Sequence, residues 1–167
     1  MKKAYVLDAS ALFSGFRVEE DMFTTPKVME EVKVEKETIL VDVLIKEGLK
    51  IISPSEKFLK KALTLAKEIG EVQKLSTADI SILALSLYLK EMGMNVYLVT
   101  EDFALQNVSI SMGINVVTLK NRKISSTIFW EFYCPGCGKR VSSIVKICPI
   151  CGTPIKRRPK IKKELRA

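Results

Sequence analysis

Four cysteines, Cys134, Cys137, Cys148 and Cys151, are all the thiols in the chain, and they form two Cys-x₂-Cys pairs with ten residues between them. Each pair sits in a CPxCG knuckle, Cys134-Pro135-Gly136-Cys137-Gly138 and Cys148-Pro149-Ile150-Cys151-Gly152. Two residues between thiolates let a tight turn aim both sulfurs at one ion. A second such turn completes tetrahedral four-sulfur coordination, which suits Zn²⁺. Two disulfides are the alternative, but nothing in the chain points to an oxidising compartment and the spacing reads as a metal site. One structural Zn²⁺ per chain is expected. A closed four-thiolate site has no open position for a substrate, so any catalysis belongs elsewhere.

The chain has no histidine, which removes His-activated nucleophiles and His acid–base chemistry. Hydrolytic work must rest on carboxylates and metal. Four carboxylates stand where the elements could gather them. Ala4 to Leu7 reads as a buried strand that ends at Asp8. Asn95 to Val99 reads as another strand, with Asp102 three residues beyond it at a helix start. Asp79 lies in the first turn of a helix over 76–92, which is apolar nearly all round and so expected to be buried centrally. Glu31 lies in a helix that begins at Thr25-Pro26. At about 100° per residue Glu31 falls about 60° from Val28 while Glu30 points nearly opposite, so Glu31 is the glutamate expected to face inward. Each acid also has a plainer reading. Asp8 fits a helix cap, Asp79 with Ser76 fits a capping box, and Asp102 fits a complement to a helix dipole. Taken together, carboxylates crowded at one sheet edge repel one another. A hard cation such as Mg²⁺ or Mn²⁺ relieves that repulsion and binds phosphate oxygens as well.

The elements that must position these residues alternate. Four strands, over 4–7, 49–52, 95–99 and 114–119, are separated by helices over 10–16, 25–32, 35–47, 55–69, 76–92 and 101–112, with residues 17–25 read as a loop. This alternation predicts an α/β fold with a parallel sheet covered on both faces. Ligands of such sheets bind beyond the C-terminal strand ends, where Asp8 and Asp102 both fall. The expected organisation is a body over 1–119, a linker over 120–128, a zinc ribbon over 129–155 and a basic tail over 156–167.

Charge divides the chain in the same way. Through Asn121 there are 15 basic and 17 acidic residues; from Arg122 onward there are 12 and 2. A basic module joined to a slightly acidic body suggests a polyanion held by one and acted on by the other. Lys139, Arg140, Lys146, Lys156, Arg157 and Arg158 are the expected contacts to that polyanion. Phe129, Trp130, Phe132 and Tyr133 either stack on unpaired bases or build the ribbon core and its contact with the body. Strand alternation leaves only half of them free, which favours packing. Met1-Lys2-Lys3 opens no signal peptide and no apolar run reaches spanning length, so a soluble, cytoplasmic protein is expected.

Four stretches carry a resemblance: Tyr5-Val6-Leu7-Asp8-Ala9-Ser10, Thr24-Thr25-Pro26-Lys27-Val28-Met29-Glu30-Glu31-Val32, Leu75-Ser76-Thr77-Ala78-Asp79-Ile80-Ser81 and Leu98-Val99-Thr100-Glu101-Asp102-Phe103. In this order they resemble the successive motifs of PIN-domain ribonucleases, over residues 1–119. With a CPxCG ribbon added, the chain is similar to the NIN-one-binding (Nob) endonucleases in their compact archaeal form. The resemblance implies a PIN fold and metal-dependent endonucleolytic cleavage that forms the mature 3′ end of small-subunit rRNA. It implies Asp8, Glu31, Asp79 and Asp102 as acids holding Mg²⁺ or Mn²⁺, with the hydroxyls of Ser10, Ser76 and Thr100 in support. Two other readings are a PIN toxin that cuts tRNA or mRNA and a non-catalytic RNA-binding scaffold. The ribbon and basic end argue against the first, and the presence of all four acids against the second.

Overall fold

A computed structural model describes residues 1–35, 38–120, 123–142 and 144–165. Five parallel strands form the first sheet: β1 (Lys3–Leu7), β2 (Asp21–Thr24), β3 (Lys50–Ile51), β4 (Asn95–Val99) and β5 (Asn115–Val117), in the order β3-β2-β1-β4-β5. Six helices connect and cover them: α1 (Ala9–Phe13), α2 (Pro26–Val34), α3 (Thr38–Lys46), α4 (Glu56–Ile69), α5 (Thr77–Glu91) and α6 (Phe103–Ser111).

The chain leaves β1 toward β2 on one side and returns as β4 on the other, so strand order reverses between β1 and β4. Such a switch point opens a crevice at the C-terminal strand ends. In register, Leu7 sits opposite Val99, and Val99 opposite Val117. The Asp8 N–H then donates to the Val99 carbonyl at 3.3 Å. The alternation of strands and helices thus delivers Asp8 and the Thr100–Asp102 turn to one edge. The all-round apolar helix is α5, which buries Ala78, Ile82, Leu83, Ala84, Leu85, Leu87 and Leu89 in the core against β1 and β4.

The sheet has one strand more than expected. Asp21–Thr24 falls in the stretch read as a loop, yet Met22, Phe23 and Thr24 are buried and the Thr24 hydroxyl donates to the Leu7 carbonyl at 2.9 Å. The polar run Arg17 to Asp21 hides so short a strand from any periodicity. The helix expected from Glu101 starts at Phe103, because Asp102 is its N-cap. The expected helical start at 36–37 lies outside the described residues.

The C-terminal part is an antiparallel sheet of β6 (Ser126–Tyr133), β7 (Arg140–Val141) and β8 (Lys156–Glu164), in the order β7-β6-β8. The lysine-rich stretch expected as a tail is therefore a strand, at least to Glu164, and β6 reaches back into the expected linker. Residues 121–122 and 166–167 lie outside the described residues. β8 is an edge strand, where cations and proline are tolerated because one side of its backbone is unpaired. Its Pro159 sits beside a bulge: Phe129 pairs with Ile161 but Trp130 pairs with Pro159, which leaves Lys160 as the extra residue.

Candidate active site and its zinc-ribbon neighbour

Asp8 caps α1. Its Oδ1 accepts from the Ser10 hydroxyl at 2.7 Å and the Ala11 N–H at 2.8 Å. The Thr100 hydroxyl also donates to this carboxylate, and accepts in turn from the Asp102 N–H at 3.1 Å. Thr100 is fully buried, so one hydroxyl ties the end of β4 to the end of β1. Asp102 caps α6, with Oδ1 accepting from the Leu105 N–H at 2.8 Å.

Ser76 has the same bridging part on α5. Its hydroxyl accepts from the Asp79 N–H at 3.1 Å and meets Glu31 Oε1 at 3.4 Å, while Asp79 Oδ2 accepts from the Ser76 N–H at 2.7 Å. The capping box is complete, as the S-x-x-D spacing suggests. Glu31 faces Asp79, whereas Glu30 is exposed and paired with Lys27 at 3.0 Å.

The caps use one oxygen of each aspartate, and the carboxylates still repel one another. Burial pushes the Asp8 carboxyl above its ordinary pKa, against the hydrogen bonds from Thr100, Ser10 and Ala11, and Asp79 adds repulsion. Burial also raises Glu31, followed by repulsion from Asp79, Glu35 and Asp8. Asp79 is raised by burial despite its bonds to Ser76, with repulsion from Asp102. The four acids thus form one electrostatic group. Their hard oxygen donors suit Mg²⁺ or Mn²⁺, and such a cation would offset the repulsion that adds to burial in raising Asp8, Glu31 and Asp79.

The four cysteine sulfurs all lie within 4.8 Å of one another. The shortest approaches cross between knuckles, Cys134 to Cys151 at 3.3 Å and Cys137 to Cys148 at 3.7 Å. Both exceed the ~2.05 Å of a disulfide, and all four thiols are free. The two knuckles have one geometry. Cys134 N–H donates to the Lys139 carbonyl and Gly138 N–H to the Cys134 carbonyl. Cys148 N–H donates to the Thr153 carbonyl and Gly152 N–H to the Cys148 carbonyl. Gly138 and Gly152 take φ of 75° and 72°, which a side chain would disfavour. Hydrogen bonds from Thr153 and the Cys134 thiol hold the Cys151 thiol down to about 6. Cys137 is pushed up to about 11: burial and the other three thiols outweigh a backbone hydrogen bond at Lys139 that favours its thiolate. Four thiolates this close need a cation to coexist, and the sulfur donor set fits Zn²⁺.

The ribbon is anchored to the body by Glu71, a residue that carries no signal in the sequence. It follows Gly70 at the end of α4 and is 4% exposed. Glu71 Oε1 accepts from the Trp130 indole N–H at 2.7 Å and the Asn107 amide at 2.9 Å, while Oε2 accepts from Arg157 at 2.9 Å. Asn107 extends the join, since its amide bonds both the N–H and the carbonyl of Ile128 in β6. Gly70 has φ 82°, and a Cβ there would stand 2.8 Å from Trp130 atoms. The aromatic stretch therefore packs: Trp130 and Phe132 reach Gly70, and Phe129 lies against the core.

Arg157, an expected RNA contact, also takes part in this join. Its guanidinium is paired with buried Glu71 and stacks on Trp130 at 3.9 Å. Arg140 and Arg158 both pair with Glu131, at 3.4 and 2.6 Å. Lys139, Lys146 and Lys156 are exposed.

Four acids, of which Asp8 is buried, Asp79 half-buried and Glu31 and Asp102 exposed, gather at the switch point of a parallel sheet, and comparison with known proteins names the class. The family described as PIN domain of ribonuclease matches residues 5–89. The chain belongs to the PIN-domain endoribonucleases. Among its relatives, Endoribonuclease Nob1 of Pyrococcus abyssi is 37% identical over 163 residues, 96% of each chain. Endoribonuclease Nob1 of Archaeoglobus fulgidus is 35% identical over 90% of this chain and 88% of its own. Ribonuclease VapC1 of Thermoplasma acidophilum is 32% identical over 92% of this chain and 77% of its own. RNA is thus the substrate class. Among the described residues no helix is long and apolar enough to cross a membrane.

Proposed function

We propose that this endoribonuclease cuts precursor rRNA to form the mature 3′ end of the small-subunit rRNA, using Mg²⁺ or Mn²⁺ at Asp8, Glu31, Asp79 and Asp102 and one structural Zn²⁺ at the four cysteines. The observation that carries the cutting site is the electrostatic group itself: acids that repel one another around the buried Asp8, with Asp8, Glu31 and Asp79 raised in pKa, bridged in pairs by Thr100 and Ser76. The rRNA assignment is supported by a resemblance to Nob endonucleases that spans both body and ribbon.

The residues have separable parts. Ser10, Ala11 and Thr100 orient the Asp8 carboxylate, which otherwise would turn from its neighbours. Ser76 fixes Asp79 through the capping box and holds Glu31 beside it. Asp102 is aimed by its own cap and by Thr100. When bound, a divalent ion supplies charge neutralisation at the phosphodiester and a water of lowered pKa. The ribbon's exposed lysines hold the RNA backbone, and Glu71 fixes the ribbon's place beside the acids. The VapC1 relative supports a second reading, a ribonuclease acting on tRNA or mRNA. Mapping the products from a precursor spanning the small-subunit 3′ end, beside tRNA and mRNA, separates the two. One cut at the mature end supports the first; efficient cutting of the others alone supports the second.

A further inference from the structure

On the ribbon side of Asp102, body and ribbon line an open cavity of about 460 Å³. Asp102 and Phe103 line it from the start of α6, Lys74 from the turn before α5, and Trp130 and Arg157 from the ribbon. Its size is that of a small-molecule site. Most of its groups are already committed. The Trp130 indole N–H is bonded to Glu71 and its ring face is covered by Arg157, whose charge Glu71 neutralises. Phe103 and Lys74 offer a ring and a charge to a ligand. Phe103 is 54% exposed, unusual for a phenylalanine, and stands one residue from a candidate acid. Lys74 is exposed and forms no ion pair among the described residues.

We propose that this cavity is a nucleotide subsite of the cutting site, where an unpaired ribonucleotide beside the scissile phosphodiester stacks its base on Phe103 and rests its phosphate against Lys74. The proposal rests on the acids being the cutting site. A base within a duplex has both faces covered by its neighbours and cannot stack on a protein ring, whereas a splayed base can.

The test measures binding by fluorescence anisotropy, with the full chain carrying Asp8→Asn so that bound RNA stays intact. The probes are a short unstructured oligoribonucleotide and an RNA duplex of the same length. Phe103→Ala and Phe103→Leu should each weaken single-strand binding by about 5- to 150-fold, the range for loss of one stacked base. Phe103→Trp should keep it, and none should alter duplex binding. Lys74→Gln should flatten the single-strand salt dependence by about 0.7 of a log–log unit. Unchanged single-strand affinity in Phe103→Ala, or equal weakening toward duplex, overturns the stacking; an unchanged salt slope overturns the part of Lys74. Titrations are run without added Mg²⁺ or Mn²⁺ and each probe is checked intact by gel afterwards, so these outcomes do not depend on Asp8→Asn abolishing cleavage.

Discussion

Asp8 both caps a helix and carries a charge that its neighbours repel, and a single substitution separates the two. In Asp8→Asn the amide oxygen still accepts from Ser10 and Ala11, and Asn caps about as well as Asp. The charge repelled by Asp79 and Glu31 is gone. The metal-free variant should be no less stable than the parent at neutral pH, by chemical denaturation, while cleavage is lost and RNA binding persists. The pH dependence has a fixed sign. Asp8, Glu31 and Asp79 all have folded-state pKa values above their ordinary ones. Below the ordinary carboxylate range folded and unfolded chains hold these protons alike. As pH rises through the raised values, the folded chain ionises crowded groups and loses stability. Metal-free melting temperature should therefore carry a downward contribution across that window, smaller in Asp8→Asn. Mn²⁺ should stabilise the parent more at neutral than at acid pH; equal stabilisation at both would contradict carboxylate binding. The places of Asp8, Asp79 and Asp102 were legible from sequence because strand ends and helix starts are strong signals, and that of Glu31 from the helical period around Val28. Their hydroxyl bridges were only half legible: Ser76 shares a turn with Asp79, but its contact with Glu31 crosses 45 residues.

At the scale of elements, the join between ribbon and body rests on one buried carboxylate. Glu71→Gln leaves Arg157 without its counter-ion. Breaking a buried pair this way costs about 3–5 kcal/mol, and the low end is expected because the Arg157 side chain keeps 23% exposure. Glu71→Gln with Arg157→Met should recover part of the loss. Trp130 is the only tryptophan, so its emission reports the same join, and an unchanged spectrum and denaturation midpoint would argue against the anchor. Zinc removal gives a second test. Chelation should shift Trp130 emission and disorder β6 to β8 while the helical circular dichroism of the body largely survives; full retention of the Trp130 signal in zinc-free protein would contradict a metal-held ribbon. Neither β2 nor β8 was legible in the sequence. β2 has four residues and no polar–apolar period. β8 reads as a solvated charge run, and it becomes a strand because β6 offers aromatic rings to its cations: Arg157 on Trp130, Arg158 on Tyr133 and Lys163 on Phe129. Glu71 and Asn107 could not have been picked out, because what makes them matter is a contact with a distant strand.

Across the whole molecule, the proposed function assigns cutting to the slightly acidic body and holding to the basic ribbon. Deleting residues 156–167 would strip β8 from β6 and unmake the ribbon, so charge is better probed by Lys139→Gln, Lys146→Gln and Lys156→Gln together. Single-strand binding should weaken, and its log–log salt slope should fall by about 0.7 per lost phosphate contact. An unchanged slope would mean these lysines serve solubility alone. The division into body and ribbon was legible from the charge balance and cysteine spacing, whereas the Glu71-centred join between them was not. The most direct measurement incubates parent and Asp8→Asn proteins with Mn²⁺ and precursor RNA spanning the small-subunit 3′ end, then maps the ends produced. The parent should make one cut at the mature 3′ end, and Asp8→Asn should bind the RNA without cutting it. Cleavage by Asp8→Asn at the parental rate, at saturating Mn²⁺ and with contaminating nuclease excluded, would contradict the acid site.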